Sequence, residues 1–226
     1  MTHGAETHTL MVGMTPLCQG SGMQNTTSQV LYQYWNDVRG ARLAPRRFEI
    51  EPALFSAILP ETFMIECEPG QGHRFRLAGT RIGEKLGYEL RGRDFTDLLD
   101  GEDHVDLKPI LEAVTQQGAV GLIDVDLPSI SGRSARFEII MLPLVHTEER
   151  ITRMLGAIST VNHEPWLGSE QLIPGRIATS EVIWPDGRPF AVARQMAHAN
   201  PFRSDFARSR LVRSQRRVFR VYEGGR

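Results

Sequence analysis

The sequence of 226 residues predicts an α+β fold, in which a five-stranded antiparallel sheet carries helices on one face. Five separate segments show apolar residues at every second position, which is the period of a half-buried strand. Two of these segments precede a run of short helical patterns and three follow it. Short connections that contain glycine join neighbouring segments, both in the first pair and among the last three. Connections of this length favour antiparallel pairing.

Composition excludes several classes of protein. Hydrophobic residues make up 41% of the chain and the net charge is −1, so the chain can bury a core and is not wholly disordered. No apolar run has the roughly 18 residues that a transmembrane helix needs, and the first residues lack the basic and apolar regions of a secretory signal. Two cysteines, Cys18 and Cys67, are too few for a disulfide scaffold or a four-cysteine zinc site. We therefore expect a cytoplasmic protein without membrane contact.

The chain before the first strand is predicted to form a helical cap. Residues 1–27 show no regular period and are predicted to be disordered. A helix is predicted over 28–39 with Ser28 as its N-cap, and a second short helix follows Pro52 and stops at Pro60. The apolar stripe of the first helix consists of Val30, Leu31, Tyr34, Trp35 and Val38.

The remaining elements follow from the same periods. Short helical turns are predicted for 81–106, and a longer helix runs from Leu107 to about Gly118. On the third strand, alternation places Asp124 and Asp126 on the outward face, away from the core. The predicted strands are Thr62–Glu68, Arg74–Thr80, Ala119–Leu127, Arg133–Val145 and Ile151–Val161.

The chain after the last predicted strand has a different composition. Five prolines interrupt residues 164–202, which are predicted to be an extension over the surface with a hairpin at 185–188. Residues 203–226 contain eight arginines against Asp205 and Glu223, a local charge of +6. Such an arm can contact an acidic protein surface or nucleic acid phosphates. Because the whole chain is slightly acidic, nucleic acid is the least favoured alternative.

Two motifs, in the expected order, resemble those of PAS domains. Residues 79–99, GTRIGEKLGYELRGRDFTDLL, resemble the middle section of a PAS domain, and GED at 101–103 follows where that family has an acidic PED motif. The pair YW at 34–35 and the stretch FRLAGT at 75–80 are similar to the PAS_5 group, stand-alone alphaproteobacterial proteins once catalogued as a domain of unknown function (DUF1457). The resemblance covers about residues 28–162.

The resemblance implies a PAS domain over 28–163 that serves bacterial signalling as a sensory or interaction module, not as an enzyme. The 63 residues after it are too few for a catalytic domain. The signal is therefore expected to pass to a partner such as a histidine kinase or a response regulator. The alternative is a sensor whose small-molecule ligand sets a dimer state. The candidates for a ligand pocket, which would serve equally well as plain core, are Phe75, Leu77, Phe95, Ile110, Phe137 and Ile139.

No cofactor is expected. A flavin photosensor of the PAS class needs a reactive cysteine in the segment 92–95, which has none, and Cys67 is predicted to be a small buried hydrophobe on an inward strand face. A haem sensor needs a histidine that faces the sheet, whereas His104 lies among acidic residues that favour a solvated position. The seven histidines contain no i, i+4 pair, so a metal site is not expected either.

Aromatic and basic residues are the candidate contacts to a partner or to a second copy of the chain. Tyr34 and Trp35 serve either as packing anchors of the first helix or as a dimer seam. The arginines of 39–47 are either solvated or paired with the acidic stretch 94–106. The contact candidates on the first helix and the arm are Tyr34, Trp35, Arg39, Arg213, Arg216, Arg217 and Phe219.

Overall fold

The structure is a computed structural model. It describes residues 22–68, 70, 72–146 and 150–187, together with the backbone of two strands at 209–213 and 219–224. Two predictions fall outside the described residues: the disorder of residues 1–21 and the contacts of the arm residues Arg216 and Arg217. None of the helices in these ranges is long and apolar enough to cross a membrane.

One mixed sheet organises the fold. Its strands lie in the order β2-β1-β5-β4-β3-β6-β8-β7, and every neighbouring pair is antiparallel except β6 and β8. The strands are β1 (Thr62–Glu68), β2 (Gly72–Ala78), β3 (Val120–Pro128), β4 (Ser134–Val145), β5 (Ile151–Thr160), β6 (Arg176–Ile183), β7 (Ser209–Arg213) and β8 (Phe219–Gly224). The α+β class is confirmed, and all five predicted strands are present with ends shifted by no more than two residues.

The sixth strand corrects the prediction that 164–202 only lies over the surface. β6 pairs with β3, with Val120 opposite Ile183, and so extends the antiparallel sheet beyond its predicted edge. Leu172, which precedes β6, is fully buried in the main core. The period of this strand is hard to detect because its buried residues include the polar Ser180 and Glu181.

Helices cover one face of the sheet as predicted. They are α2 (Thr80–Leu86), a 3₁₀ turn at Phe95–Leu98 and α3 (His104–Gln117). The turn into α2 depends on Gly79, because a Cβ there would lie 2.2 Å from the carbonyl oxygen of Pro60. The buried faces of these helices pack against the inward residues of the strands and form the main core.

The predicted helical cap, residues 22–61, covers the opposite face of the sheet, a position that the sequence did not indicate. It contains α1 (Thr26–Arg39) and 3₁₀ turns at Arg47–Glu49, Pro52–Phe55 and Leu59–Glu61. A second core, which includes Leu31 and Trp35, lies between the cap and the sheet. The helix begins before the predicted Ser28, because the Asn25 side chain accepts a hydrogen bond from the Thr27 N–H (2.9 Å) and is the N-cap.

Buried carboxylates hold the segment that leads into α1. Glu138 of β4 accepts hydrogen bonds from the backbone N–H groups of Gln24 (2.6 Å) and Asn25 (3.1 Å). Burial raises the pKa of Glu138, and the charge of Asp124 adds to this effect. Residues 22–27, predicted to be disordered, are therefore tied to the sheet. Asp124, which was predicted to face outward, lies on β3 opposite Glu138 and is also buried.

Candidate functional site

Most of the residues predicted to line a ligand pocket lie packed in the main core. Phe75, Phe95, Ile110, Phe137 and Ile139 are all fully buried within the main core. Three aromatic rings contact one another there, with ring centroids 5.4 Å (Phe63–Phe75), 5.8 Å (Phe75–Phe95) and 6.1 Å (Phe63–Phe95) apart. These distances are typical of packed aromatic pairs. These five predicted pocket residues are thus placed as core in this structure.

Leu77 does not join these residues, which corrects the sixth pocket prediction. Its side chain is 54% exposed. The pairing of β1 with β2 shifts between Met64 and Ile65, so that Met64 lies opposite Leu77 while Ile65 lies opposite Phe75. The extra residue, Arg76, forms a bulge that moves Leu77 to the other face of the sheet.

Cys67 and His104, the two residues considered for flavin or haem chemistry, each have a position that packing or hydrogen bonding explains. Cys67 is buried, and burial raises the pKa of its thiol to about 12, which keeps it protonated. His104 is exposed, and its Nε2 donates to the backbone carbonyls of Thr96 (3.0 Å) and Leu99 (3.2 Å) instead of facing the sheet. Within the described ranges, no group of three or more His, Cys, Asp or Glu side chains is placed to hold a metal ion.

Two residues predicted as possible contacts on α1 are anchors of the cap. Trp35 is fully buried and its indole N–H donates to the carbonyl oxygen of Pro143 on β4 (2.8 Å). Arg39 is also buried, pairs with Asp186 (2.9 Å) and stacks over the Trp35 ring at 5.5 Å. Neither side chain is therefore available to a partner. The backbone of Arg213 and Phe219 belongs to β7 and β8.

The arginines near α1 do not pair with the acidic stretch 94–106. Arg42 pairs with Glu49 within the cap (2.8 Å). The exposed Glu102 of the acidic stretch instead pairs with Arg176 of β6. Arg46 and Arg47 are exposed, so the basic cluster is divided between ion pairs and a solvated pair of side chains.

Exposed apolar residues lie in three elements of the cap, and one of them, Phe48, directly follows Arg46 and Arg47 in the chain. Phe48 is 71% exposed, Leu54 is 68% exposed and Val30 is 42% exposed. The Tyr34 hydroxyl accepts a hydrogen bond from the Glu51 N–H (2.7 Å). Glu51 connects the 3₁₀ turns at Arg47–Glu49 and Pro52–Phe55, so this bond fixes both turns against α1. We call this area the cap surface, and it consists of Val30, Arg46, Arg47, Phe48 and Leu54.

The buried carboxylate of Glu61 links the cap to the sheet and to the helices on the other face of the sheet. Glu61 Oε2 accepts hydrogen bonds from Thr27 of α1 (2.7 Å) and Ser159 of β5 (3.1 Å), and its Oε1 accepts one from Lys85 of α2 (3.0 Å). We call this cluster the Glu61 junction. Sequence patterns gave no direct indication of it, although Lys85 is one of only two lysines in an arginine-rich chain.

The Glu61 junction predicts acid-sensitive stability. Burial acts to raise the pKa of Glu61, but hydrogen bonds from Thr27 and Lys85, the charge of Lys85 and the bond from Ser159 outweigh it, so the pKa lies below its ordinary value. The stabilisation is therefore present above the unfolded-state pKa of about 4.3 and is lost as the pH falls through the lower folded-state pKa. Glu61→Gln should lower the free energy of unfolding at pH 7 by about 1–3 kcal/mol, and the difference from wild type should shrink below about pH 4.

Urea unfolding of both proteins between pH 3 and pH 7 measures this difference. Glu112→Gln, on the exposed side of α3, is the matched control and should follow the wild-type curve. A Glu61→Gln protein whose deficit stays constant over this range would contradict the assignment.

Several solved structures are similar to this one. The structure resembles a light-oxygen-voltage (LOV) protein of Rhodobacter sphaeroides, at 10% identity and a TM-score of 0.40 over 51% of this chain and 71% of that one. It also resembles the LOV domain of the blue-light photoreceptor Aureochrome1, at 18% identity and a TM-score of 0.39 over 50% and 90% of the two chains. A sensory box histidine kinase/response regulator of Burkholderia thailandensis is similar at 16% identity and a TM-score of 0.35, over 49% and 85%.

The sequence supplies the family. No curated protein matches the chain. The family model PAS_5, described as a PAS domain, matches residues 23–159, from the segment that leads into α1 almost to the end of β5. Because this match spans more than half of the 226 residues, the chain belongs to the PAS_5 family of PAS domains.

Proposed function

We propose that this PAS protein is a sensory or regulatory protein, not an enzyme, and that it acts by binding a second protein at the cap surface. The observation that carries the proposal is the exposure of two large apolar side chains, Phe48 and Leu54, on a layer that is otherwise fixed to the sheet. Exposed apolar residues grouped on a fixed scaffold are typical of protein-interaction sites.

The neighbouring charges favour a protein contact. The guanidinium of Arg46 lies 5.9 Å from the centre of the Phe48 ring, and Arg47 is exposed beside it. Aromatic residues and arginine are the types most enriched among the residues that dominate binding energy in protein interfaces. The cap surface therefore combines an apolar centre with positive charge, and it suits a partner whose own contact area is apolar and acidic.

The cap also takes the place of the sheet as the contact surface. The family resemblance implies that a PAS domain either holds a small molecule between its sheet and helices or docks to other domains through the sheet. Here α1 covers that face, with Trp35 and Leu31 buried against it, and aromatic rings pack against one another in the interior. These two features favour transmission through the cap over a ligand held in the core.

The family resemblance suggests the class of partner. We propose a bacterial two-component signalling protein, a histidine kinase or a response regulator, as that partner in the cytoplasm. The chain would act as a stand-alone adaptor, with no cofactor of its own. A dimer whose state is set by a ligand is the second candidate.

Affinity capture with matched variants tests the proposal. The tagged protein should recover a signalling protein from lysate of its own cells. The double variant Phe48→Ser/Leu54→Ser should recover at least about tenfold less, since central interface residues often contribute more than 1 kcal/mol each. Its thermal midpoint should stay close to wild type, because both side chains are exposed.

The control is Ile130→Ser, which removes another exposed apolar residue (74% exposed) from the turn between β3 and β4. This variant should recover the partner as wild type does. Equal recovery by all three proteins would contradict contact at the cap surface. Recovery of nothing but the bait, even after crosslinking at low salt, would contradict the adaptor function and favour the ligand-gated dimer.

A further inference from the structure

A groove lies at one end of the sheet, and its lining includes none of the residues of the cap surface. It has a volume of about 610 Å³ and lies between the β1–β2 connection, the last turn of α3 and the start of β5. This volume falls within the range of small-molecule binding sites in proteins, roughly 300–1,000 Å³. Its lining includes Leu43, Cys67, Glu68, His73, Gln116 and Arg150.

The groove lies at the seam between the cap and the PAS core. Leu43, from the chain that follows α1, packs directly over the end of α3: a Cβ on Gly118 would lie 2.1 Å from Leu43 Cδ1. Two residues further on, the carbonyl oxygen of Pro45 accepts a hydrogen bond from the Val145 N–H of β4 (3.0 Å). One wall of the groove therefore belongs to the cap, and the other walls belong to the core.

Among the described residues, Arg150 and Glu68 supply one positive and one negative side chain to the groove. Arg150 precedes β5 and Glu68 ends β1. These two strands are antiparallel, and Glu66 lies opposite Arg153. The end of β1 therefore lies beside the start of β5, which brings Glu68 and Arg150 to the same end of the sheet.

The remaining polar groups add hydrogen bonds without adding net charge. Burial lowers the pKa of His73, so its imidazole is neutral at pH 7 and offers one donor and one acceptor. Gln116 supplies an exposed amide. Leu43 and the buried Cys67 supply apolar contacts. The groove thus has opposite charges, neutral hydrogen-bonding groups and an apolar wall.

A ligand that complements these features carries one negative and one positive charge, to pair with Arg150 and Glu68. We propose that the groove binds a small zwitterion of the amino-acid or dipeptide class, with its carboxylate on Arg150 and its ammonium group on Glu68. Its aliphatic part lies against Leu43. Because Leu43 belongs to the cap, occupancy of the groove stabilises the seam and thereby the position of the cap surface. This last step rests on the proposed function, whereas binding itself does not.

Titration calorimetry on the full chain tests the proposal with defined compounds. Leucine represents free amino acids and alanyl-alanine represents dipeptides, so the two sources are distinguished directly. At least one of them should bind with a dissociation constant below about 1 mM. Leucinamide, which lacks the carboxylate, and 4-methylpentanoate, which lacks the ammonium group, should bind at least about tenfold more weakly.

Variants assign the two charged contacts. Arg150→Gln and Glu68→Gln should each weaken binding of the zwitterion by about tenfold or more, since each removes a charge-assisted hydrogen bond. Arg91→Gln and Glu89→Gln, exposed residues that do not line the groove, should bind as wild type does.

Absence of saturable heat with both zwitterions would overturn the proposal. Wild-type affinity in both groove variants, or equal affinity for leucine and 4-methylpentanoate, would overturn it as well. These measurements use the chain alone, so their failure is distinct from a failure to capture a partner protein.

Discussion

Replacing Phe75 with alanine should lower the free energy of unfolding by about 3–5 kcal/mol, the range for a fully buried phenylalanine. The ring of Phe75 contacts both Phe63 and Phe95, and removing it leaves a void that the surrounding strands and helices cannot fill without shifting. The measurement is urea denaturation followed by circular dichroism, with the slope of the transition compared between proteins.

Leu77→Ala is the matched control, because Leu77 lies on the same strand but is mostly exposed. Its free energy of unfolding should change by less than about 0.5 kcal/mol. Similar losses in the two variants would contradict the bulge that separates these residues. A Phe75→Ala loss below about 1 kcal/mol would contradict a filled core and would favour the ligand pocket that the family resemblance implies.

Replacing Trp35 with alanine should cost a similar amount, about 3–5 kcal/mol, and should also loosen the cap. The variant loses both the packing of a fully buried ring and the hydrogen bond to Pro143. Trp35→Phe keeps an aromatic ring in the second core but leaves that carbonyl without its donor, which should cost about 1–3 kcal/mol. Urea unfolding gives the free energies, and hydrogen exchange of the α1 amides reports on the cap itself.

Val30→Ala is the control on the same helix, since its side chain lies on the outer side of α1. It should leave both stability and α1 exchange close to wild type. If Trp35→Ala changes neither quantity, Trp35 is not an anchor, and its role as a contact to a partner or a second copy would have to be restored.

The strands were predictable because alternation is a local property, but the face that each residue occupies was not always predictable. The first two strands alternate cleanly in sequence, which suggested that Phe75 and Leu77 share a face. A single extra residue, Arg76, breaks this relationship. Such a bulge depends on the pairing with β1 and has no reliable signal in the sequence of β2 itself.

The cap was predicted as helical, yet its position over the second face of the sheet was missed. A signal was present in the sequence of β4, where residues 137–144 are apolar except for Glu138, and in the structure all of them are buried. A nearly continuous apolar run of this kind is typical of a strand covered on both faces. Glu138 within that run obscures the pattern, because its carboxylate is paired with backbone donors from the segment that leads into α1.

The residues of the proposed site were the least predictable. Phe48 and Leu54 lie in short 3₁₀ turns, where three or four residues define no hydrophobic period. In the segment after Pro52, where a short helix was predicted, Phe55 takes the buried position and Leu54 is exposed. Exposure of this kind depends on how the turns pack against α1, which is a tertiary property.

Site-specific photocrosslinking in cells tests contact at the cap surface most directly. A photoreactive phenylalanine analogue would be placed at position 48, at position 54 and, as a control, at position 130. These three positions carry exposed apolar residues, but only the first two lie on the cap surface. We expect one crosslinked protein, shared by positions 48 and 54 and absent at position 130. Crosslinking at position 130 without crosslinking at positions 48 and 54 would show that the partner binds elsewhere on the domain and would contradict the proposed function of the cap.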